Sequence, residues 1–94
     1  MQAAEGMTFE DLVDWYVRQL VLYGDEKNAE VIRSALACGE PVVALNMAVI
    51  RSKQLNIIPE RHIIERSCEL LDSDDDGMEI CKYLFASNGD SVAP

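Results

Sequence analysis

The chain has 94 residues, and its 17 acidic side chains outnumber 8 basic ones to give a formal net charge of -9. This length favours one domain with a modest core. The charge argues against nucleic-acid backbones and anionic membrane surfaces as partners and favours a basic protein. An acidic surface that serves solubility alone is the alternative. Hydrophobic residues make up 49% of the chain and aromatic residues 6%, a composition typical of helix packed on helix.

The first two predicted helices are amphipathic and follow one another closely. Thr8 is a favourable N-cap, and apolar residues then recur every three or four positions to about Tyr23, where Gly24 ends the helix. Asp25 is in position to cap a second helix that runs to about Cys38. The apolar stripe of the first helix consists of Phe9, Leu12, Val13, Tyr16, Val17 and Leu20. That of the second consists of Ala29, Ile32, Ala35 and Leu36.

The third predicted helix contains the most apolar stretch of the chain, residues 41–50. Pro41 suits the first position of a helix, and Gly39 closes the preceding one. A helix that is apolar on every side must be surrounded by others, so we expect this helix to be central and almost wholly buried. Within it, Asn46 is expected to find a neighbouring hydrogen-bond partner. A dimer is the alternative, and it would leave one side exposed until a second copy covered it, involving Val42, Met47 or Val49.

Two more helices are predicted after a linker at residues 56–59. Pro59 starts the fourth helix, and Asp76 is in position to cap a fifth, with Glu79 completing a capping box. The ends of the chain, about residues 1–7 and 88–94, are expected to be loosely held. The sequence therefore predicts one all-α domain over residues 1–94, a compact bundle of about five short helices.

The sequence offers little for catalysis. His62 is the single histidine, and there is no Gly-rich phosphate loop, HExxH motif or nucleophile elbow. The three cysteines, Cys38, Cys68 and Cys81, lack CxxC spacing, so we expect them to be reduced and buried rather than to bind zinc. We therefore predict a protein that is not an enzyme and that holds no cofactor and no metal.

One motif comes close to a calcium site. Three aspartates and a glycine match the first half of an EF-hand loop between two helices, namely Asp72, Asp74, Asp76 and Gly77. Position twelve of that loop, where a bidentate glutamate normally closes the site, is Tyr83, and position eight is Glu79. We interpret the segment as an acidic turn that caps a helix.

Acidic residues are concentrated between Glu65 and Glu79, where Arg66 is the only base. Such a cluster creates a local negative potential and self-repulsion that a basic partner would relieve. We predict that it binds the partner, and a solvated surface is the alternative. The predicted partner-binding residues are Glu65, Glu69, Asp72, Asp74, Asp75, Asp76 and Glu79.

Two segments carry a family resemblance: residues 35–45, ALACGEPVVAL, and residues 57–64, IIPERHII. Over about residues 28–72 the chain resembles small acidic helical immunity proteins of bacteria, of the MafI type, which protect against contact-dependent toxins. The resemblance implies a cytoplasmic antitoxin that binds and neutralises a cognate basic toxin domain, often an RNase or DNase, without chemistry. The third helix is more apolar than the family pattern, so both a monomer and a weak homodimer are open.

Two other functions fit parts of the sequence. Residues 39–45 also resemble the corner of a tetratricopeptide unit, which would suggest a peptide-binding adaptor, although an array needs about three repeats and no second copy is found. A phage-type inhibitor that mimics nucleic acid with its carboxylates would share the acidic mechanism and differ in its target. No segment reaches the roughly 18 apolar residues of a membrane span, and the first residues lack an export signal.

Overall fold

The computed structural model describes residues 7–71 and Lys82. Over these residues the chain forms four helices and no strand: α1 (Phe9–Leu22), α2 (Glu26–Ala37), α3 (Pro41–Gln54) and α4 (Arg61–Leu70). The prediction of a compact all-α fold is confirmed. The start of the predicted fifth helix at Asp76 lies outside the described residues, as do residues 1–6 and 88–94.

Helix α1 is the centre of the fold, because it packs against α2, α3 and α4. It begins at the predicted cap: the Asp11 backbone N–H donates to Thr8 Oγ1 at 3.2 Å, and the Thr8 backbone N–H donates to Asp11 Oδ2 at 3.1 Å. This reciprocal pair is a capping box. Its buried face closely matches the predicted stripe and consists of Leu12, Val13, Tyr16, Val17 and Leu20.

Helix α3 buries one face only. Ala44, Leu45, Ala48 and Val49 are fully covered, and α3 packs mainly against α1 and α2. Near its first turn, however, the side chains of Val42 and Val43 are 37% and 45% exposed. The expectation of a central helix buried on all sides is therefore wrong, because α1 occupies the position between the other helices.

The first three helices end in the same backbone conformation. Gly24, Gly39 and Asn56 each follow a helix and have φ angles of 83°, 81° and 60°. The N–H of each residue donates to the carbonyl three positions back, and the next N–H to the carbonyl five back, at 2.8–3.1 Å. This is the Schellman arrangement, which favours glycine or asparagine at the left-handed position. The predicted stops at Gly24 and Gly39 are confirmed, and Asn56, the first residue of the predicted linker, ends α3 in the same way.

Helix α4 begins two residues later than predicted, because Pro59 and the N-cap Glu60 precede it and the Glu60 backbone is extended. It is joined to α1 by a buried hydrogen bond of 2.8 Å between the Tyr16 hydroxyl and Ser67 Oγ. Arg66 Nε also donates to the Met7 carbonyl oxygen at 2.9 Å. These bonds fix α4 against the start and the middle of α1.

The corner between α1 and α2 is tied to α3 through Asp25. Its carboxylate accepts hydrogen bonds from Arg51 Nε at 2.6 Å and from Asn28 Nδ2 at 2.9 Å. Asp25 is the N-cap residue of α2, as predicted, but its side chain makes no capping hydrogen bond and instead accepts from these two residues. The Arg51 hydrogen bond is the main cause of a lowered Asp25 pKa. Asp25 therefore stabilises the fold as a carboxylate.

We expect Arg51→Met to lower the urea midpoint of unfolding at pH 7. Since the folded-state pKa of Asp25 lies below its unfolded value of 3.8, its contribution is present above that pH and is lost as pH falls through the folded pKa. The difference between variant and parent should therefore shrink at pH 3, measured by circular dichroism in urea.

The matched control is Arg61→Met, which removes a 3.4 Å pair with Glu65 between side chains that are 60% and 52% exposed. Exposed pairs of this kind contribute little to stability. Equal effects of the two variants at both pH values would contradict the role assigned to Asp25.

Candidate protein-binding surface

Two members of the predicted acidic cluster lie on α4, and both are paired there. Glu65 Oε2 is 3.4 Å from Arg61 Nε, and Glu69 Oε1 is 2.9 Å from Arg66 Nη1. Both carboxylates are exposed, so a partner can reach them. Their charge is nevertheless compensated locally. The other five members lie outside the described residues and are Asp72, Asp74, Asp75, Asp76 and Glu79.

A groove of about 390 Å³ runs between α1 and α2. Val13 and Val17 of α1 and Leu36 of α2 supply its apolar lining. The polar lining comes from three carboxylates of α1, on Glu10, Asp11 and Asp14, and from the guanidinium of Arg33 on α2. We call this feature the α1–α2 groove.

The three carboxylates of the groove differ in how far their charge is compensated. Asp11 accepts the backbone N–H of Thr8 in the capping box. Asp14 Oδ2 lies 2.7 Å from Arg18 Nη2, one turn further along α1. Glu10 is exposed and makes no ion pair with the described residues. Glu10 therefore presents the least compensated negative charge of the three.

The groove continues at both of its ends. Towards the start of α1 it passes Phe9 and Leu36 and reaches Gly39 and Pro41 at the corner between α2 and α3. Towards the end of α1 it meets a further depression of about 330 Å³, lined by Arg18, Val21, Leu22 and Arg33. One exposed face therefore combines apolar side chains with carboxylates at one end and guanidinium groups at the other.

His62 has no catalytic neighbour among the described side chains. It is 48% exposed, and its Nε2 atom lies 3.4 Å from a carboxylate oxygen of Glu60. In residues 7–71 no three His, Cys, Asp or Glu side chains lie close enough together to hold a metal ion. The calcium-like loop at residues 72–83 lies almost wholly outside the described part of the chain.

The cysteines differ from the expectation of three reduced, buried thiols. Cys38 is free but exposed, because it occupies the C-terminal end of α2. Cys68 is half-buried on α4 and is disulfide-bonded. Disulfides are rare in cytosolic proteins, so Cys68 does not support the cytoplasmic location expected from the sequence.

Comparison of the chain with protein-family models, curated proteins and solved structures finds no match. The described helices include none that combines the length and the hydropathy of a membrane span. The assignment of a function therefore depends on the chemistry of the surface and on the sequence resemblance.

Proposed function

We propose that this chain is an antitoxin of the immunity type, which binds a basic toxin domain and neutralises it without catalysis. The observation that supports this proposal is the α1–α2 groove, where the carboxylates of Glu10 and Asp14 lie beside apolar side chains on an exposed face. The toxin would be an RNase or DNase whose cationic groove is blocked. The cytoplasm is the location that the sequence resemblance implies, and the disulfide of Cys68 would meet reducing conditions there.

The two kinds of groups in the groove would contribute differently to binding. Exposed carboxylates attract a basic partner over a distance of about a Debye length and so raise the association rate. Half-buried apolar side chains such as Phe9 and Leu36 would contribute affinity once water is excluded from them. Binding through this face would therefore weaken with added salt without disappearing.

The test uses the toxin domain encoded beside the gene for this chain, made catalytically inactive and titrated by calorimetry at low and high salt. We expect Glu10→Gln with Asp14→Asn to weaken binding by roughly tenfold and to reduce its salt dependence. The triple variant Asp74→Ser, Asp75→Ser and Glu79→Ser tests the second acidic region in the same way.

The control variant is Glu65→Gln with Glu69→Gln. Its two carboxylates already face Arg61 and Arg66, so removing them should change binding less than the groove variant does. If neither the groove variant nor the triple variant alters affinity or salt dependence, the acidic mechanism is wrong. If the neighbouring toxin does not bind at all, the immunity function is wrong.

A peptide-binding adaptor is the second candidate, because the depression at the start of α1 is lined by Phe9, Leu36 and Pro41 and is open to an extended segment. A peptide array would then yield short ligands whose binding is lost in the variant Leu36→Ser. The nucleic-acid mimic would instead bind a DNA-processing enzyme.

A further inference from the structure

The outer face of α1 separates its charges along the helix. Glu10, Asp11 and Asp14 lie in the first half, whereas Arg18 lies in the second half with Arg33 of α2 beside it. Glu10, Asp14, Arg18 and Leu22 follow one another at intervals of four residues and so share one side of the helix, and all four are exposed. This side is therefore acidic at one end and basic at the other.

The basic end of this face is also unusually apolar for an exposed surface. Val21 and Leu22 end α1, and their side chains are 38% and 76% exposed. Val21 and Leu22 line a depression together with the two arginines. Contiguous exposed apolar side chains rimmed by charged ones are typical of protein interfaces.

We propose that a second copy of this chain covers this face, with the two α1 helices antiparallel across a twofold axis. In such an interface both copies use the same patch. If one residue contacts a second residue on the other copy, that second residue in the first copy contacts the first residue in the other. An axis passing between Asp14 and Arg18 places the carboxylate end of each copy opposite the arginine end of the other. A parallel arrangement would place like charges together.

The net charge of -9 causes little repulsion between two copies at this face. Most of the excess acidic residues lie outside residues 7–71, in the segment after α4 and at the two ends. Within α1 the Asp14–Arg18 pair of 2.7 Å already holds both groups on the exposed side, where each can meet its counterpart. Leu22 of each copy would then be removed from water.

This self-association does not require the proposed function, but a second copy and a toxin would compete for the carboxylates of Glu10 and Asp14. The experiment therefore uses the purified 94-residue chain alone. Sedimentation velocity over a range of protein concentrations at physiological salt should show a monomer–dimer equilibrium. A chain that remains monomeric at its highest soluble concentration would overturn the proposal.

Two charge-reversed variants test the arrangement. One carries Glu10→Arg and Asp14→Arg, and the other carries Arg18→Glu and Arg33→Glu. Each alone should dimerise roughly tenfold more weakly or worse, because like charges meet across the axis. Mixing them should restore a dimer containing one copy of each, since their faces are then complementary at both ends.

Leu22→Ser provides a variant without a change of charge. Because this side chain is 76% exposed, the fold should be retained, as checked by circular dichroism, while dimerisation weakens. If the parent dimerises but Leu22→Ser and both charge-reversed variants dimerise equally well, the second copy binds elsewhere and the proposal is wrong.

Discussion

Leu20→Ala is expected to lower the free energy of unfolding by about 2–5 kcal/mol. Leu20 is fully buried in α1, which packs against the three other described helices, so truncation leaves a cavity between helices. The loss would be a large part of the 5–15 kcal/mol typical of a domain. Urea denaturation followed by circular dichroism measures it.

Leu22→Ala is the matched control, since it makes the same chemical change two residues away in the same helix. The Leu22 side chain is 76% exposed in the single chain, so at protein concentrations too low for dimerisation its truncation should alter stability by no more than about 0.5 kcal/mol. Equal destabilisation by the two variants would show that α1 packs through a different face.

The buried face of α1 could be predicted because polar and apolar residues alternate there with helical periodicity. The same reasoning failed for α3, where apolar residues on every side give no contrast between a buried and an exposed face. Val42 and Val43 are exposed as a result of how α1 and α2 pack, which the local sequence does not encode. Asn56 was missed because asparagine is less specific than glycine for a left-handed position.

The candidate site was less predictable than the fold. The acidic residues of α1 could be placed on its outer face from spacing alone, but the α1–α2 groove depends on where Arg33 and Leu36 of another helix come to lie. Pairing of Glu65 with Arg61 and of Glu69 with Arg66 was available from their three- and four-residue spacing. Counting the acidic residues of the cluster does not reveal that Arg61 and Arg66 compensate two of their charges.

The largest polar contribution to the core is expected from the contact between Tyr16 and Ser67. Ser67 Oγ donates to the Ile63 carbonyl at 2.8 Å, so the Tyr16 hydroxyl is the donor in its 2.8 Å bond to Ser67. Ser67→Ala would leave that hydroxyl buried without an acceptor. We expect a loss of about 1–3 kcal/mol in the free energy of unfolding, measured in urea.

Ser52→Ala is the matched control for this variant. Both serines are fully buried in helices, but Ser52 Oγ has no hydrogen-bond partner among the described residues. Removing it should be neutral or slightly stabilising. The double variant Tyr16→Phe with Ser67→Ala should be more stable than Ser67→Ala alone, because no polar group is then left unsatisfied. If Ser52→Ala costs as much as Ser67→Ala, the hydrogen bond is not the cause.

The pH dependence of Tyr16→Phe separates the hydroxyl from the aromatic ring. Burial is the main cause that raises the pKa of Tyr16 from 10.0 to about 12. Because the folded-state pKa is the higher one, this contribution to stability is complete below pH 10 and is lost as pH rises towards 12. A shift of this size corresponds to about 2–3 kcal/mol.

The parent should therefore lose stability relative to Tyr16→Phe between pH 10 and 12. Parallel pH profiles would show that the hydroxyl is not buried in the folded chain.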